Sequence, residues 1–433
     1  MSLDWAAVVG RGWWNATTRL PHDPPAPHEA RRLDLPPTLR NVPGVEQALV
    51  FDPAMKQHSC AIRVGEPRFA SEEAGRRWYA ARRRALDHVL AAVAASPWAG
   101  NLVLRGSVLL RAWYGADARE PGDLDFVVVP DTWKVSGREA RRMLTGIARA
   151  VEEVSGANPD GGVRLRADEA MRSDIWTYSK VPGRRLVLPW TCEGVPDGIV
   201  QLDFVFNERP AVPPEPTAVP RGDGGEAPVL GAATPELSLA WKLLWLLEDR
   251  YPQGKDLFDA CLLATSARLS YRTLMDVLVS ADPLYAVNVP TAEKLFEVEA
   301  DWDAFSKEYP DIPGTRIDYS MMLATSLDAT FEQAAELPAG AYRRAVVLLE
   351  RLLAGYRATR ADQGMDGVRR RLVGERLALP VEIIIVNELR GHGPEGLAES
   401  ARAVRRLHDE PDGHRPRWYP AGAFEQALAA LRG

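Results

Sequence analysis

The chain has 433 residues, a formal net charge of −6 and 26% charged residues. This length exceeds that of one ordinary hydrophobic core, so we expect two or more domains. The negative net charge argues against a global basic field that would attract nucleic acid or anionic lipid. Three widely spaced cysteines without a C-x-x-C pair argue against a disulfide framework or a zinc knuckle and suit a reducing cytoplasm. We expect a cytoplasmic protein without a signal peptide or a membrane span.

The first 70 residues are predicted to form an N-terminal arm and a hairpin. Residues 1–44 are rich in proline and polar groups, which favours an extended arm on the surface. The runs "VEQALVFD" and "SCAIRV" follow, and their short β-type patterns predict two strands that pair with each other.

Residues 71–230 alternate between helix and strand patterns. A helix is predicted from Ser71, and the strand "NLVLR", the turn Gly106-Ser107, a short helix and the strand "LDFVVV" follow it. Another amphipathic helix covers residues 137–155. Four strand patterns come next, the last of them "GIVQLDFVFNE". Residues 208–228 are dense in proline and glycine and are predicted to be a loop or linker.

Residues 231–433 have helical periodicity almost throughout. Thr234-Pro235-Glu236 is a typical helix start, with a capping hydroxyl, proline at the first helical position and an acid next to it. The predicted fold is therefore α+β, with a mixed sheet in the 71–230 domain and a mainly helical 231–433 domain.

Two carboxylates at the start of a buried strand form the first candidate site. Asp123 and Asp125 are two residues apart, so their side chains point to one face of the strand. Such a pair can bind a hard divalent cation through oxygen, and Asp203 in a later apolar run could complete a two-metal site. Asp-x-Asp pairs also cap turns and bind arginines, and Arg119 is close enough in sequence to be such a partner.

Gly106-Ser107 precedes the acidic strand and favours a phosphate-binding turn. Glycine lets the backbone turn tightly between a strand and a helix. A serine hydroxyl and the N–H groups of the helix N-terminus could then bind an anion. The combination with Asp123 and Asp125 is typical of sites for nucleoside triphosphates.

Lys242 interrupts the apolar helix "LSLAWKLLWLL". An unpaired buried ammonium is costly, so we expect this lysine to reach a cleft and meet a phosphate or an acid. The alternative is a lysine whose head group extends to solvent at the helix edge.

Taken together, these motifs resemble the AbiEii/AbiGii toxin family within the DNA polymerase β-like nucleotidyltransferase superfamily. "LVLRGSVLLRAWYGADAREPGDLDF" is similar to the family's glycine-serine turn and Arg-x-x-x-Asp-Leu-Asp stretch, with Arg119, Asp123 and Asp125 at the matching positions. Pro121 is a minor departure. Lys242 matches the family's helix lysine, and residues 255–259, "KDLFD", match its basic-Asp-x-x-Asp motif. The resemblance covers roughly residues 70–265.

The resemblance implies transfer of a nucleoside monophosphate from an NTP, with release of pyrophosphate. It implies that Mg²⁺, or Mn²⁺ in its place, is held by Asp123, Asp125 and Asp203, with Lys242 as a further catalytic residue. The implied nucleotide-binding residues are Gly106, Ser107, Arg119, Lys242, Asp256 and Asp259. Local alternatives for the last two are a helix cap for Asp256 and an i,i+4 pair with Lys255 for Asp259.

The implied partners are an NTP, an RNA acceptor such as tRNA, and an antitoxin protein. The alternatives are transfer to a protein side chain or a small molecule, and an inactive NTP-binding scaffold. A tRNA acceptor requires a basic face, whereas a small-molecule enzyme requires a closed pocket. The arginines at 82–84, 141–142 and 369–371 are the clusters whose positions discriminate between them, although such clusters are commonly only solvated helix faces.

Overall fold

The structure, a computed structural model, describes residues 5–10, 20, 21, 23–157, 162–177, 181–409 and 419–433. The chain divides into two compact units. The first comprises Met1–Ala267 with Val298–Leu323, and the second comprises Arg268–Glu297 with Ala324–Gly433.

The N-terminal part of the first unit contains helices α1 (Trp5–Gly10) and α2 (Pro27–Leu33) and strands β1 (Leu49–Phe51) and β2 (Ile62–Val64). The two strands pair antiparallel, so the predicted hairpin is confirmed. Apolar side chains from the helices and strands pack into one buried cluster, which includes Trp5, Leu35, Leu39 and Ile62. This packing gives the N-terminal segment a hydrophobic core of its own, so the prediction of an extended surface arm is wrong for the described residues of 1–44.

A mixed eight-stranded sheet forms the centre of the first unit. Its strands are β3 (Leu102–Arg105), β4 (Asp123–Val128), β5 (Val163–Leu165), β6 (Met171–Thr177), β7 (Val181–Cys192), β8 (Val195–Val205), β9 (Glu215–Ala218) and β10 (Val229–Ala232). The order is β5-β7-β8-β4-β3-β10-β9, with β6 paired to β7. The pairs β4–β8 and β3–β10 are parallel and the others are antiparallel. The acidic strand β4 therefore lies in the middle of the sheet.

Five helices pack on or beside this sheet: α3 (Glu72–Ala95), α4 (Ser107–Tyr114), α5 (Arg138–Ala157), α6 (Pro235–Glu248) and α7 (Gly254–Ala264). Helices α3 and α6 begin at the capping residues that the sequence predicted. The hydroxyls of Ser71 and Thr234 accept hydrogen bonds from backbone N–H groups in the first turns of α3 and α6. Helix α6 is buried around most of its circumference, in keeping with its apolar sequence.

The sequence predicted a loop or linker over residues 208–228, but the structure shows that this region also contains a strand. Strand β9 lies inside it and pairs antiparallel with β10. The proline-rich composition misled the prediction because β9 is an edge strand, and an edge strand can carry Pro216 without losing an internal ladder hydrogen bond.

The remaining helices are α8 (Tyr271–Ala281), α9 (Ala292–Phe296), α10 (Trp302–Glu308), α11 (Arg316–Ser326), α12 (Asp328–Glu332), α13 (Ala341–Leu348), α14 (Glu350–Glu375), α15 (Leu379–Arg390), α16 (Leu397–Asp409) and α17 (Ala423–Arg432). Helix α10 belongs to the first unit, whereas α12 to α17 belong to the second. The α+β prediction, with a mixed sheet followed by a mainly helical part, is confirmed. Among the described helices, none combines the length and apolar character needed to cross a bilayer.

Candidate active site

The three predicted aspartates occupy neighbouring positions on two parallel strands. Asp123 and Asp125 lie on one face of β4, and Asp125 is directly opposite Asp203 of β8. Directly opposite residues on adjacent strands project to the same side of a sheet. All three side chains line one cavity of about 240 Å³ in the first unit. The fold thus brings together carboxylates that are about eighty residues apart in sequence.

Asp123 and Asp125 have neither a hydrogen-bond partner nor an ion-pair partner among the described residues. Burial, and then the negative charges of Asp123 and Asp203, raise the pKa of Asp125 to about 7. Burial opposes ionisation of Asp123 as well, but the positive charges of Lys255 and Arg119 outweigh it and lower the pKa of Asp123. A divalent cation between the two carboxylates would relieve their mutual repulsion.

Asp203 is bound by an arginine. Arg185 donates to both of its carboxylate oxygens at 2.8 Å, and the same guanidinium donates to Asp52 at 2.6 Å. Burial raises the pKa of Asp203 above its ordinary value, although Arg185 opposes this effect. The described residues contain no group of three or more His, Cys, Asp and Glu side chains arranged to hold a metal ion. Metal binding by Asp203 therefore stays a prediction, and it requires the carboxylate to share its oxygens with Arg185.

The geometry of Gly106 matches its predicted turn. Its φ is +88°, and it stands directly before the first residue of α4. A Cβ added at this position would lie 2.4 Å from Oδ2 of Asp125. Glycine is required here for two reasons: the backbone conformation is one that other residues rarely adopt, and the turn touches the carboxylate.

Ser107 does not lie on the cavity wall. The residue is 2% exposed, and its hydroxyl has no hydrogen-bond partner within the described part of the chain. The residues that line the cavity do not include Ser107. A phosphate-binding role for this hydroxyl stays a prediction, and it requires the turn to open before a ligand can reach the oxygen.

Lys242, Asp256, Asp259 and Arg119 form one buried charge network. The ammonium of Lys242 lies 2.7 Å from Asp256 and 2.9 Å from Asp259, and it also lies over the ring of Trp245. Arg119 donates two hydrogen bonds to the carboxylate of Asp259, at 3.1 and 3.0 Å. The side chain of Asp259 has no exposed surface.

The network differs from each local alternative that the sequence allowed. Arg119 pairs with Asp259 rather than with Asp123, and Lys242 is 4% exposed rather than extended to solvent. Gln253, not Asp256, occupies the cap position of α7. Burial alone would raise the pKa of Asp259, but Arg119 and Lys242 outweigh it and lower the pKa to about 2.

The cavity wall also includes ionisable residues outside the predicted site residues. They are the acids Asp52, Glu66, Asp249 and Glu308, the cations Arg40, Arg63, Arg82, Arg105, Arg185 and Lys255, and Tyr309. Arg63 and Glu308 are joined by two 2.9 Å hydrogen bonds, although 245 positions separate them in sequence. A signal was available only for Arg185 and Lys255, an arginine leading an apolar strand and a basic residue within the matched motif.

We expect Gly106→Ala to abolish nucleotidyl transfer, because the new methyl group would displace the carboxylate of Asp125. Gly115→Ala, at the other end of α4, is the matched control. Gly115 also has positive φ, at +57°, but an added Cβ would meet no atom within 4 Å. The control should lose about 1–3 kcal/mol of stability through backbone strain while it keeps its activity. Equal activity in the two variants would contradict the close contact.

We expect Asp259→Asn to lower the free energy of unfolding at pH 7 by about 3–5 kcal/mol, because two buried cations would lose their carboxylate. The control is Asp276→Asn, which breaks a surface pair with Arg272 and should cost about 0–1 kcal/mol. Because the folded-state pKa of Asp259 is depressed to about 2, its contribution is complete above about pH 4 and is lost as the pH falls towards 2. Denaturant unfolding between pH 7 and pH 3 measures both effects, and a difference that grew on acidification would contradict the network.

Comparison with known protein families places this geometry in context. A family model described as "Nucleotidyl transferase AbiEii toxin, Type IV TA system" matches residues 88–336, more than half of the chain. The match includes the acidic strands, the buried charge network and residues 308 and 309 of the cavity wall. No curated protein matches the chain significantly. The chain therefore belongs to the AbiEii family of nucleotidyl transferase toxins of type IV toxin–antitoxin systems.

Proposed function

We propose that this nucleotidyltransferase moves a nucleoside monophosphate from an NTP to a hydroxyl at an RNA end, such as that of a tRNA. In this reaction the acceptor oxygen forms a bond to the α-phosphorus. The bond from the α-phosphorus to the bridging oxygen breaks, and pyrophosphate leaves. Membership of a type IV toxin–antitoxin system implies an antitoxin partner, and the RNA acceptor is our proposal.

One observation carries the assignment of the site. Of the acidic residues that line the cavity, Asp123 and Asp125 are the two for which the described part of the chain supplies no hydrogen-bond or ion-pair partner. Paired carboxylate oxygens on one face of a strand suit Mg²⁺, or Mn²⁺, which also takes oxygens from substrate phosphates. When bound, such an ion would neutralise the charge that develops on the phosphates during transfer.

Two lysines of the cavity are suited to bind the negatively charged triphosphate. Lys255 lines the cavity and has no ion-pair partner within the described residues. The ammonium of Lys242 has three donors, two of which face Asp256 and Asp259. We assign Lys255 to the phosphates as a direct ligand, and we assign the third donor of Lys242 to the same charge.

Asp203 is better suited to orient the site than to remove a proton from the acceptor. Both of its oxygens accept hydrogen bonds from Arg185, so a proton transferred to this carboxylate would displace one of these charge-assisted bonds. We propose that Asp203 completes the acidic face beside Asp125 while Arg185 and Asp52 fix its direction.

The direct test is incubation of the protein with each α-labelled NTP, Mg²⁺, total bacterial RNA and lysate protein, followed by gel separation. Label on RNA that needs Mg²⁺ supports the proposal. Label on a protein or on a small molecule would overturn the RNA acceptor while leaving nucleotidyl transfer in place. A catalytically inactive NTP-binding scaffold would label nothing with any of the four nucleotides.

We expect Asp125→Asn to reduce transfer by about a hundredfold or more, because a carboxylate suited to hold Mg²⁺ is lost. The metal-free protein should keep or slightly gain stability, since a member of a repelling cluster becomes neutral.

Expression of the wild type should slow bacterial growth, and expression of the Asp125→Asn variant should not. Asp197→Asn on β8, outside the cavity lining, is the control and should behave as the wild type. Growth inhibition that survives Asp125→Asn would separate toxicity from this site.

We expect Lys255→Met to weaken binding of the Mg–NTP complex about tenfold, because one ammonium–phosphate contact is removed. Calorimetric titration at constant ionic strength measures this effect. Lys294→Met is the control, since Lys294 is an exposed lysine paired with Glu297 and is not among the residues that line the cavity. An unchanged dissociation constant for the Lys255 variant would remove this residue from the phosphate site.

A further inference from the structure

Helix α5 carries a row of arginines on its solvent side. Arg138, Arg141, Arg142 and Arg149 are all exposed, and the opposite side of the helix is buried in the core. At 1.5 Å per residue this row extends over about 16 Å. Arg172 of β6 adds a fifth exposed guanidinium, because it donates to Thr145 on the same side of α5 at 3.0 Å. We call these five arginines the α5 arginine face.

We propose that the α5 arginine face binds the sugar-phosphate backbone of the RNA acceptor. This inference rests on the proposed function and names the surface on which its acceptor would lie. A row of guanidinium groups suits a row of phosphates, because each group presents several donors in a planar fork. The chain as a whole has a net charge of −6, so the attraction would be local to this helix.

The four arginines of α5 form no ion pair with any described carboxylate. Arg141 donates instead to the backbone carbonyl of Ser136. The acids near the ends of the helix do not neutralise the row, and Glu152 accepts a hydrogen bond from the backbone of Ala167. Arginines elsewhere behave differently: Arg83 of α3 pairs with Glu120.

The arginines also work against the stability of α5 itself. Three of them lie in the first two turns, where the helix dipole presents positive partial charge. Arg138 is three and four residues from Arg141 and Arg142, and like charges at these spacings destabilise a helix. Glu139 in the first turn offsets part of this charge. No described carboxylate forms an ion pair with the four arginines, so a bound polyanion would stabilise the arrangement further.

A tryptophan lies beside the row, and it is a second observation, independent of the arginines, that favours nucleic acid as the partner. The indole of Trp98 packs against α5 at Gly146, where an added Cβ would lie 1.8 Å from the ring. Gly146 is four residues after Arg142 and three before Arg149. Trp98 is only partly buried, and we assign its exposed part to contact with a base. Basic rows next to accessible aromatic rings are typical of surfaces that bind single-stranded nucleic acid.

The other arginine clusters are less suited to this role. At 82–84, Arg82 is buried and bound to Glu66, and Arg83 is paired with Glu120. At 369–371, Arg371 pairs with Glu375. Of the three clusters, the one on α5 therefore combines exposure with the absence of described carboxylate partners.

The test compares RNA affinity in the absence of any NTP. The probe is mixed bacterial tRNA. Filter binding measures the dissociation constant at salt concentrations between about 0.05 and 0.3 M, so that the slope of log K against log salt can be determined. We expect the triple variant Arg141→Gln, Arg142→Gln, Arg149→Gln to bind at least about tenfold more weakly near physiological salt. The slope of log K against log salt should fall by about two to three. The midpoint temperature of thermal unfolding should stay level or rise, because repulsion between like charges is removed.

The charge-matched control is Arg272→Gln, Arg357→Gln, Arg402→Gln, three exposed positions in the second unit. It should keep the affinity and the salt slope of the wild type. Equal losses in both triple variants would reduce the effect to net charge and overturn the proposal, as would an unchanged slope for the α5 variant. A wild type that binds polyglutamate but not tRNA would assign the face to an acidic protein and would also overturn it. Failure of the proposed function would appear separately, as a wild type that transfers no nucleotide.

Discussion

A single buried carboxylate holds the surroundings of the cavity together. Asp259 has no exposed surface and accepts hydrogen bonds from Arg119 and Lys242. Its charge compensates Arg119, and it shares Lys242 with Asp256. Arg119 lies in the segment before β4, Lys242 in α6 and Asp259 in α7. Because each charge is stable in the interior only in the presence of the others, the three segments must assemble in one arrangement. The cavity wall near Asp123 depends on that arrangement.

Around this network, the charges of the cavity fall into two classes. Most are compensated, as in the bidentate contacts of Arg63 with Glu308 and of Arg185 with Asp203. Asp123 and Asp125 are not, and the pKa of Asp125 rises to about 7 as a consequence of burial and of its acidic neighbours. The other acids of this cavity have partners among the described residues, and these two carboxylates do not. This uneven distribution of charge supports the cation site that we propose for the reaction.

The cavity also draws on parts of the chain that carry no recognisable motif. Asp52 follows the first strand of the N-terminal hairpin and reaches Arg185 in the central sheet. Glu308 ends α10 and reaches Arg63. Neither acid could have been assigned from the sequence, because an isolated Asp or Glu in a polar segment looks the same whether it is solvated or paired. The long-range pairs exist only once the sheet and the helices have packed.

The sequence by itself determined the α+β class, the family and most of the local elements, although strand β9 and helices α1 and α2 were not predicted. Helix periodicity, the caps at Ser71 and Thr234 and the apolar runs of β4 and β8 are properties of neighbouring residues, so they can be read without the fold. The same holds for the positions of Asp123, Asp125 and Asp203 on strands and for the turn at Gly106.

Only the tertiary structure decided which charges meet and which side chains are accessible. Asp259 pairs with an arginine 140 positions away rather than with Lys255, four positions away. Asp203 is held by Arg185, and the hydroxyl of Ser107 is buried. The physical reason is that burial makes an unpaired charge costly, while the identity of each partner depends on which strands and helices become neighbours.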